Sequence, residues 1–142
     1  MIEQSRKIEP RARYYCADAI AFFKKDKAHY DYILGMYNFL CGIPHDDRKE
    51  FIQNCIKRLV KGGELILNIR WTHVTLREYV RLAITPLFCL YIGRTYHFGD
   101  VVYNIFRGRY TFAHYFTQKE ITALFYPHLP IIEGTLIRYV KK

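Results

Sequence analysis

The residues able to do chemistry are spread thinly along this 142-residue chain. Six histidines, His29, His45, His73, His97, His114 and His128, show no pair at i and i+4. Catalytic zinc needs three protein ligands converging on one point, so this dispersion predicts no metal centre. The four cysteines, Cys16, Cys41, Cys55 and Cys89, form no C-x-x-C pair and sit in apolar surroundings. There a free thiol acts as a small hydrophobe, which fits a reducing, cytoplasmic setting. Asp18 closes the run ARYYCA, either as a ligand contact or as the cap of the next segment. Gly35, at the end of YDYIL, permits either a close backbone approach or a tight turn. Asp31 reads as fixing a local turn. Asn38 could order a polar group, and His114 has Tyr110 and Tyr115 nearby. A lone histidine without a catalytic partner reads first as a satisfied structural residue. No side chain declares itself catalytic.

The elements that must position these residues are clearer. Residues 30–40, YDYILGMYNFL, run from an acidic residue through an apolar strand into Gly35. Residues 59–69, LVKGGELILNI, place a Lys-Gly-Gly turn before another apolar strand. Between them Phe51, Ile52, Cys55, Ile56 and Leu59 recur at helical spacing, with Asp46 or Asp47 as cap and Gly62 as closing residue. Strand, crossover helix and strand make a parallel βαβ unit, and ligands of such sheets collect where the strands end.

The flanks are read in the same way. A polar helix over residues 1–7 ends at Pro10, and residues 12–17 are strand-like. A short helix or turn occupies 19–25. A basic helix over 74–82 is interrupted by Pro86, and 96–108 alternate weakly. Thr117 and Glu120 form a capping box for a helix over 117–126, and residues 131–133 and 135–140 are a closing strand pair. One domain, residues 1–142, is expected, without repeats or linkers.

Net charge is +9, and aromatics make up 17% of the chain. A basic balance favours acidic partners such as nucleic acid, nucleotides or anionic membrane, but the Lys and Arg are scattered and no run of five occurs. Residues 1–20 carry charges throughout, so no secretory leader is expected. The longest apolar run, residues 83–93, falls short of the ~20 residues that a membrane span takes. The apolar insertion 74–96 is expected to be buried in the core or an interface, with a substrate lid or a partner- or membrane-docking surface as alternatives.

The order of these segments resembles the class I S-adenosylmethionine-dependent methyltransferases. CADA is similar to the segment that offers an acidic residue and a backbone amide to adenine, which implies Asp18 and Ala19 in that role. YDYILGMYNFL looks like the fourth strand and its loop, which would place Gly35, Met36 and Tyr37 along the methionine part of the cofactor. RLVKGGELIL resembles the following helix, turn and strand, and GRYTFAHYFTQKEITALF the stretch before the last helix of many small-molecule members. In those members the position of His114 often falls on the substrate side, and His73 would lie near the active-site rim. The resemblance implies methyl transfer from S-adenosylmethionine to a small molecule or RNA.

One departure shapes the expectation. The family opens with an apolar strand and a loop like E-x-G-x-G-x-G, then a strand ending in a ribose-binding acid, and the eight glycines here include no such loop. Residues 1–8 resemble the helix after that acid, so the chain is expected to begin partway through the fold. The expected architecture is α/β, a partial Rossmann-like methyltransferase sheet with flanking helices that lacks the first two strands. Those strands would lie between residues 14–17 and 32–34, so exposed edges and a homo-oligomer through them are anticipated. The alternative reading is a non-catalytic remnant serving as an interaction module.

Overall fold

The computed structural model of the protein describes residues 2–70, 75–103 and 110–142. Met1, His73, Val74 and the second half of the weakly alternating segment lie outside the described residues. In chain order the elements are α1 (Ile2–Ile8), α2 (Ala19–Lys25), β1 (Tyr30–Gly35), α3 (Arg48–Arg58) and β2 (Leu59–Asn68). There follow α4 (Leu76–Tyr91), β3 (Asp100–Tyr103), β4 (Thr111–His114), α5 (Gln118–Phe125), β5 (Ile131–Glu133) and β6 (Leu136–Val140).

Strand alternation builds the core. β1 and β2 pair in parallel, with Ile33 opposite Leu65 and Gly35 opposite Leu67, so the βαβ unit forms as its pattern requires. β6 lies antiparallel to β2, and β5 antiparallel to β6, giving the order β1-β2-β6-β5. Ile33, Leu65, Leu67 and Ile137 point to one face, where Phe51, Ile52, Cys55 and Ile56 of α3 and Ile121 and Phe125 of α5 meet them. On the other face Tyr32 and Leu34 are 63% and 61% exposed. A doubly wound sheet covers both faces. Here the described elements leave one face and the outer edge of β1 open.

Four expectations are corrected. Residues 12–17 form no strand, because a strand exists only through its ladder and no described segment offers one. Tyr14 instead ties this stretch to the end of α1, donating its hydroxyl to the carbonyl oxygens of Ser5 (2.9 Å) and Glu9 (3.1 Å). Gly62 does not cap α3, which ends at Arg58 with Leu59 as its C-cap, and it takes φ +80 where the register of β2 against β1 breaks between Leu59 and Glu64. The helix expected to stop before Pro86 continues to Tyr91. Thr85, fully buried, explains this: its hydroxyl donates to the Arg81 carbonyl at 2.6 Å and accepts the Val102 amide at 3.0 Å, anchoring α4 to β3 beside the proline. The core half of the expectation for the insertion is also corrected, since only Thr85 and Cys89 of α4 are enclosed within the chain.

Thr85→Val removes both bonds and leaves the buried Val102 N–H unpaired. A destabilisation of about 1–3 kcal/mol is expected, read by urea unfolding, and an unchanged midpoint would show that the anchor is dispensable.

Candidate functional site

The loop leaving β1 has an unusual backbone. Tyr37 (φ 56) and Asn38 (φ 57) both take left-handed conformations, which non-glycine residues adopt at a cost. The surroundings hold them there: the Asn38 amide donates to the Asn68 side-chain carbonyl at 3.2 Å, and the Asn68 amide group donates to Thr135 Oγ1 at 3.2 Å. Strain of this kind concentrates at functional loops. Gly35 is small for a packing reason, since a Cβ there would lie 2.6 Å from Leu67 Cδ2.

Beside this loop runs an apolar groove of about 380 Å³, lined among others by Tyr15, Phe22, Leu34, Gly35, Met36 and Phe39. Of the expected contact residues it gathers Gly35 and Met36. Asp18, Ala19 and Tyr37 do not line it. Asp18 is the N-cap of α2, accepting the Ala21 amide at 2.9 Å, and Ala19 opens that helix. Tyr37 is 97% exposed.

Sequence reasoning missed a buried cluster at the same end of the sheet. His114, at the end of β4, faces Asp100 Oδ1 with Nδ1 at 2.7 Å and both Glu120 oxygens with Nε2, at 2.8 and 3.1 Å. A carboxylate only accepts, so both ring nitrogens carry protons and the side chain is an imidazolium. Burial disfavours that charge, but the two carboxylates outweigh it and hold His114 above its ordinary value. Burial likewise works against ionised Asp100, and the bond from His114 is foremost among the contacts that keep its carboxyl below the usual range. Arg48 completes a balanced quartet: Nε donates to the Ile43 carbonyl at 3.1 Å, and Nη1 lies 3.6 Å from Glu120 without a hydrogen bond. Burial lowers its pKa. Cys41 Sγ donates to the His114 carbonyl at 3.1 Å, joining the cluster to the loop after β1. Glu120 follows the capping-box spacing but sends its carboxylate to His114, while its amide still donates to Thr117 Oγ1 at 3.2 Å.

A second network lies beside it. Tyr115 donates its hydroxyl to Glu78, Tyr103 and Tyr115 share a 2.6 Å bond, and Arg70 donates to Tyr103 at 3.2 Å. Burial, then Glu78, raises the Tyr115 pKa, so this phenol stays protonated.

Outside the quartet a polar cleft of about 520 Å³ opens between residues 41–48 and the β3–β4 pair. His45 and His97 stack in it at 3.9 Å with planes 8° apart. With Asp46 they form a group whose candidate metal-ligand atoms lie within 4.8 Å of one another. Ring nitrogens bind metals in the ring plane, so parallel stacked rings cannot both serve one ion without turning.

No protein-family model matches the sequence, and no curated protein matches it. Solved structures do. CalS10 from Micromonospora echinaspora, an amino pentose methyltransferase with bound S-adenosylmethionine, matches at TM-score 0.62 and 12% identity, over 99% of this chain and 70% of that one. DesVI from Streptomyces venezuelae matches at 0.67 and 12%, with the same coverages. An S-adenosylmethionine-dependent methyltransferase from Methanosarcina mazei matches at 0.66 and 18%, over 92% and 68%. The chain therefore has a class I methyltransferase-like fold, present as a partial sheet with flanking helices. Among the described residues no helix is long and apolar enough to cross a membrane.

The groove beside Gly35 and Met36 is apolar, and the start of α2 with Asp18 and Ala19 lies outside its lining.

The quartet gives a pH signature. The raised His114 pKa means its stabilisation is fully present below the unfolded value near 6.5 and is lost as pH rises through the folded value. The lowered Asp100 pKa means its share is present above about 3.8 and lost as pH falls through the folded value. His114→Gln should cost about 3–5 kcal/mol at pH 6 by leaving buried carboxylates unpaired. It should also flatten the fall in melting temperature above pH 6.5. An identical pH slope in wild type and variant would rule out the imidazolium.

Proposed function

We propose that the chain supplies the adenine and methionine side of an S-adenosylmethionine site and takes part in methyl transfer to a small molecule, with RNA as the other acceptor its charge allows. The observation that carries this is the doubly left-handed Tyr37–Asn38 turn, pinned by Asn68 where β1 ends, in a sheet with the methyltransferase-like fold. Asp18 and the Ala19 amide would meet the adenine, and Gly35, Met36 and Tyr37 would run along the methionine part. The amino pentose methyltransferase activity of CalS10 supports a small-molecule acceptor.

The bound sulfonium would supply an activated methyl group, and the protein's remaining task is alignment. The pinned loop gives a rigid wall for that alignment. The cleft over residues 41–48 is the proposed acceptor chamber, where a ring nitrogen of His45 or His97 could take a proton from an acceptor hydroxyl or ammonium group. His114 is excluded from this role, because both its nitrogens are already protonated and bonded. A glycine-rich strand and loop, pairing with the open edge of β1, would complete the cofactor pocket.

Calorimetric titration with S-adenosylhomocysteine tests the reading, and heat should appear at micromolar to millimolar ligand. Asp18→Asn keeps a good helix cap while removing the charge, so roughly tenfold weaker binding with unchanged stability is expected. No heat at millimolar ligand sinks cofactor binding by this chain.

The open edge of β1 favours a second reading, an interaction module that pairs with another copy through this strand. Light scattering should then show a dimer whose population rises with concentration, and Leu34→Lys should return it to monomer. A monomer at all concentrations removes this reading.

A further inference from the structure

Helix α4 carries an apolar face that nothing in the described structure covers. Leu76, Leu87, Leu90 and Tyr91 are 82, 69, 79 and 86% exposed, and Tyr79, Val80 and Ile84 add 61, 51 and 46%. At 100° per residue these side chains fall within an arc of roughly 140° on one side of the helix. The opposite side, marked by buried Thr85 and Cys89, faces β3. This inverts the usual surface helix, whose outward side is polar.

The charges around the stripe are one-sided. Glu78 is the only acid on the helix and is turned inward, accepting from Thr75 N (2.8 Å), Thr75 Oγ1 (3.0 Å) and the Tyr115 hydroxyl. Arg77, at the border of the apolar arc, and Arg81 are both exposed, and exposed Arg94 follows the helix end. Arg81 lies 4.6 Å from the Tyr103 ring centre and Arg94 3.8 Å from that of Phe112, each keeping its charge at the surface. Arg77 thus borders the hydrocarbon directly, while Arg81 and Arg94 lie further round, on the β3–β4 side, and remain exposed.

Local charge argues against a second copy. Two such faces set together would bring Arg77, Arg81 and Arg94 of one chain against the same cations of the other, with no acid exposed on either helix to offset them. The stripe is long enough to lie along a bilayer surface, and Tyr79 and Tyr91 suit a boundary with one apolar and one wet side.

We propose that α4 is a membrane-surface helix, laying its Leu76–Tyr91 face into the headgroup boundary of an anionic bilayer with Arg77, Arg81 and Arg94 at lipid phosphates. This goes beyond the methyl-transfer reading and does not depend on it. The test is co-sedimentation with vesicles of phosphatidylcholine alone or with one-third phosphatidylglycerol, at low and high salt. Binding to the anionic vesicles, several-fold weaker at high salt, is expected, with little on the neutral ones. Leu87→Glu and Leu90→Glu, both at exposed positions and checked for folding by circular dichroism, should each weaken binding roughly tenfold or more. No binding to anionic vesicles at low salt overturns the proposal. So does binding that both variants leave intact, which would assign it to net charge alone. A dimer that Leu87→Glu dissociates, without vesicle binding, gives the face to a second copy and also overturns it.

Discussion

The imidazolium of His114, held between Asp100 and Glu120, is the contact through which the outer parts of this fold reach its centre. Asp100 begins β3, His114 ends β4, Glu120 lies in the first turn of α5 and Arg48 opens α3. Three successive elements, β3, β4 and α5, thus meet on one buried ring, and α3, from much earlier in the sequence, joins them through Glu120. Each charge in the group is costly alone, and together they sum to zero. Every member therefore depends on the other three being in place. The desolvation is concentrated on the separate antiparallel pair β3–β4, where Asp100 lies opposite His114, and at the start of α3 and α5.

The arrangement also assigns roles. The pinned Tyr37–Asn38 turn lies between Met36 and Phe39, which line the groove, and the His45–His97 stack lies in the cleft. Cys41 links the intervening loop to the His114 carbonyl. The groups that could act on a ligand rest directly on the frame: Arg48 and Asp100 line the same cleft, and the His97 amide donates to Asp100 Oδ2 at 3.2 Å. His114, the histidine that the sequence sets closest to the expected substrate side, belongs to the frame.

Local patterns were legible in the sequence and distant ones were not. The βαβ unit, α5 and the closing strand pair follow from apolar spacing within a few residues. The order of those segments was enough to point to a methyltransferase-like sheet at 12–18% identity with its structural neighbours. The quartet was invisible because residues 48, 100, 114 and 120 share no periodicity. Its one signal was misleading, since Thr117 and Glu120 spell a capping box whose acid is used elsewhere. Residues 12–17 have strand composition, but a ladder depends on a neighbour that local composition cannot supply. Pro86 suggested a break, and a tertiary bond through Thr85 overrode it. Exposure of the α4 face was equally unreadable, because the same apolar spacing serves a core helix.

The position of β6 sets an order of events for a chain emerging from the ribosome. β2 is flanked on one side by β1, close in sequence, and on the other by β6, where Glu64 meets Val140. Until residues 136–140 are free of the exit tunnel, β2 has one strand neighbour, and Ile137 and Tyr139 are missing from the core that Leu65 and Leu67 belong to. The early βαβ unit must therefore wait, with apolar surface showing, through the synthesis of α4, the β3–β4 pair and α5. Nascent chains in that interval are natural clients for holding chaperones.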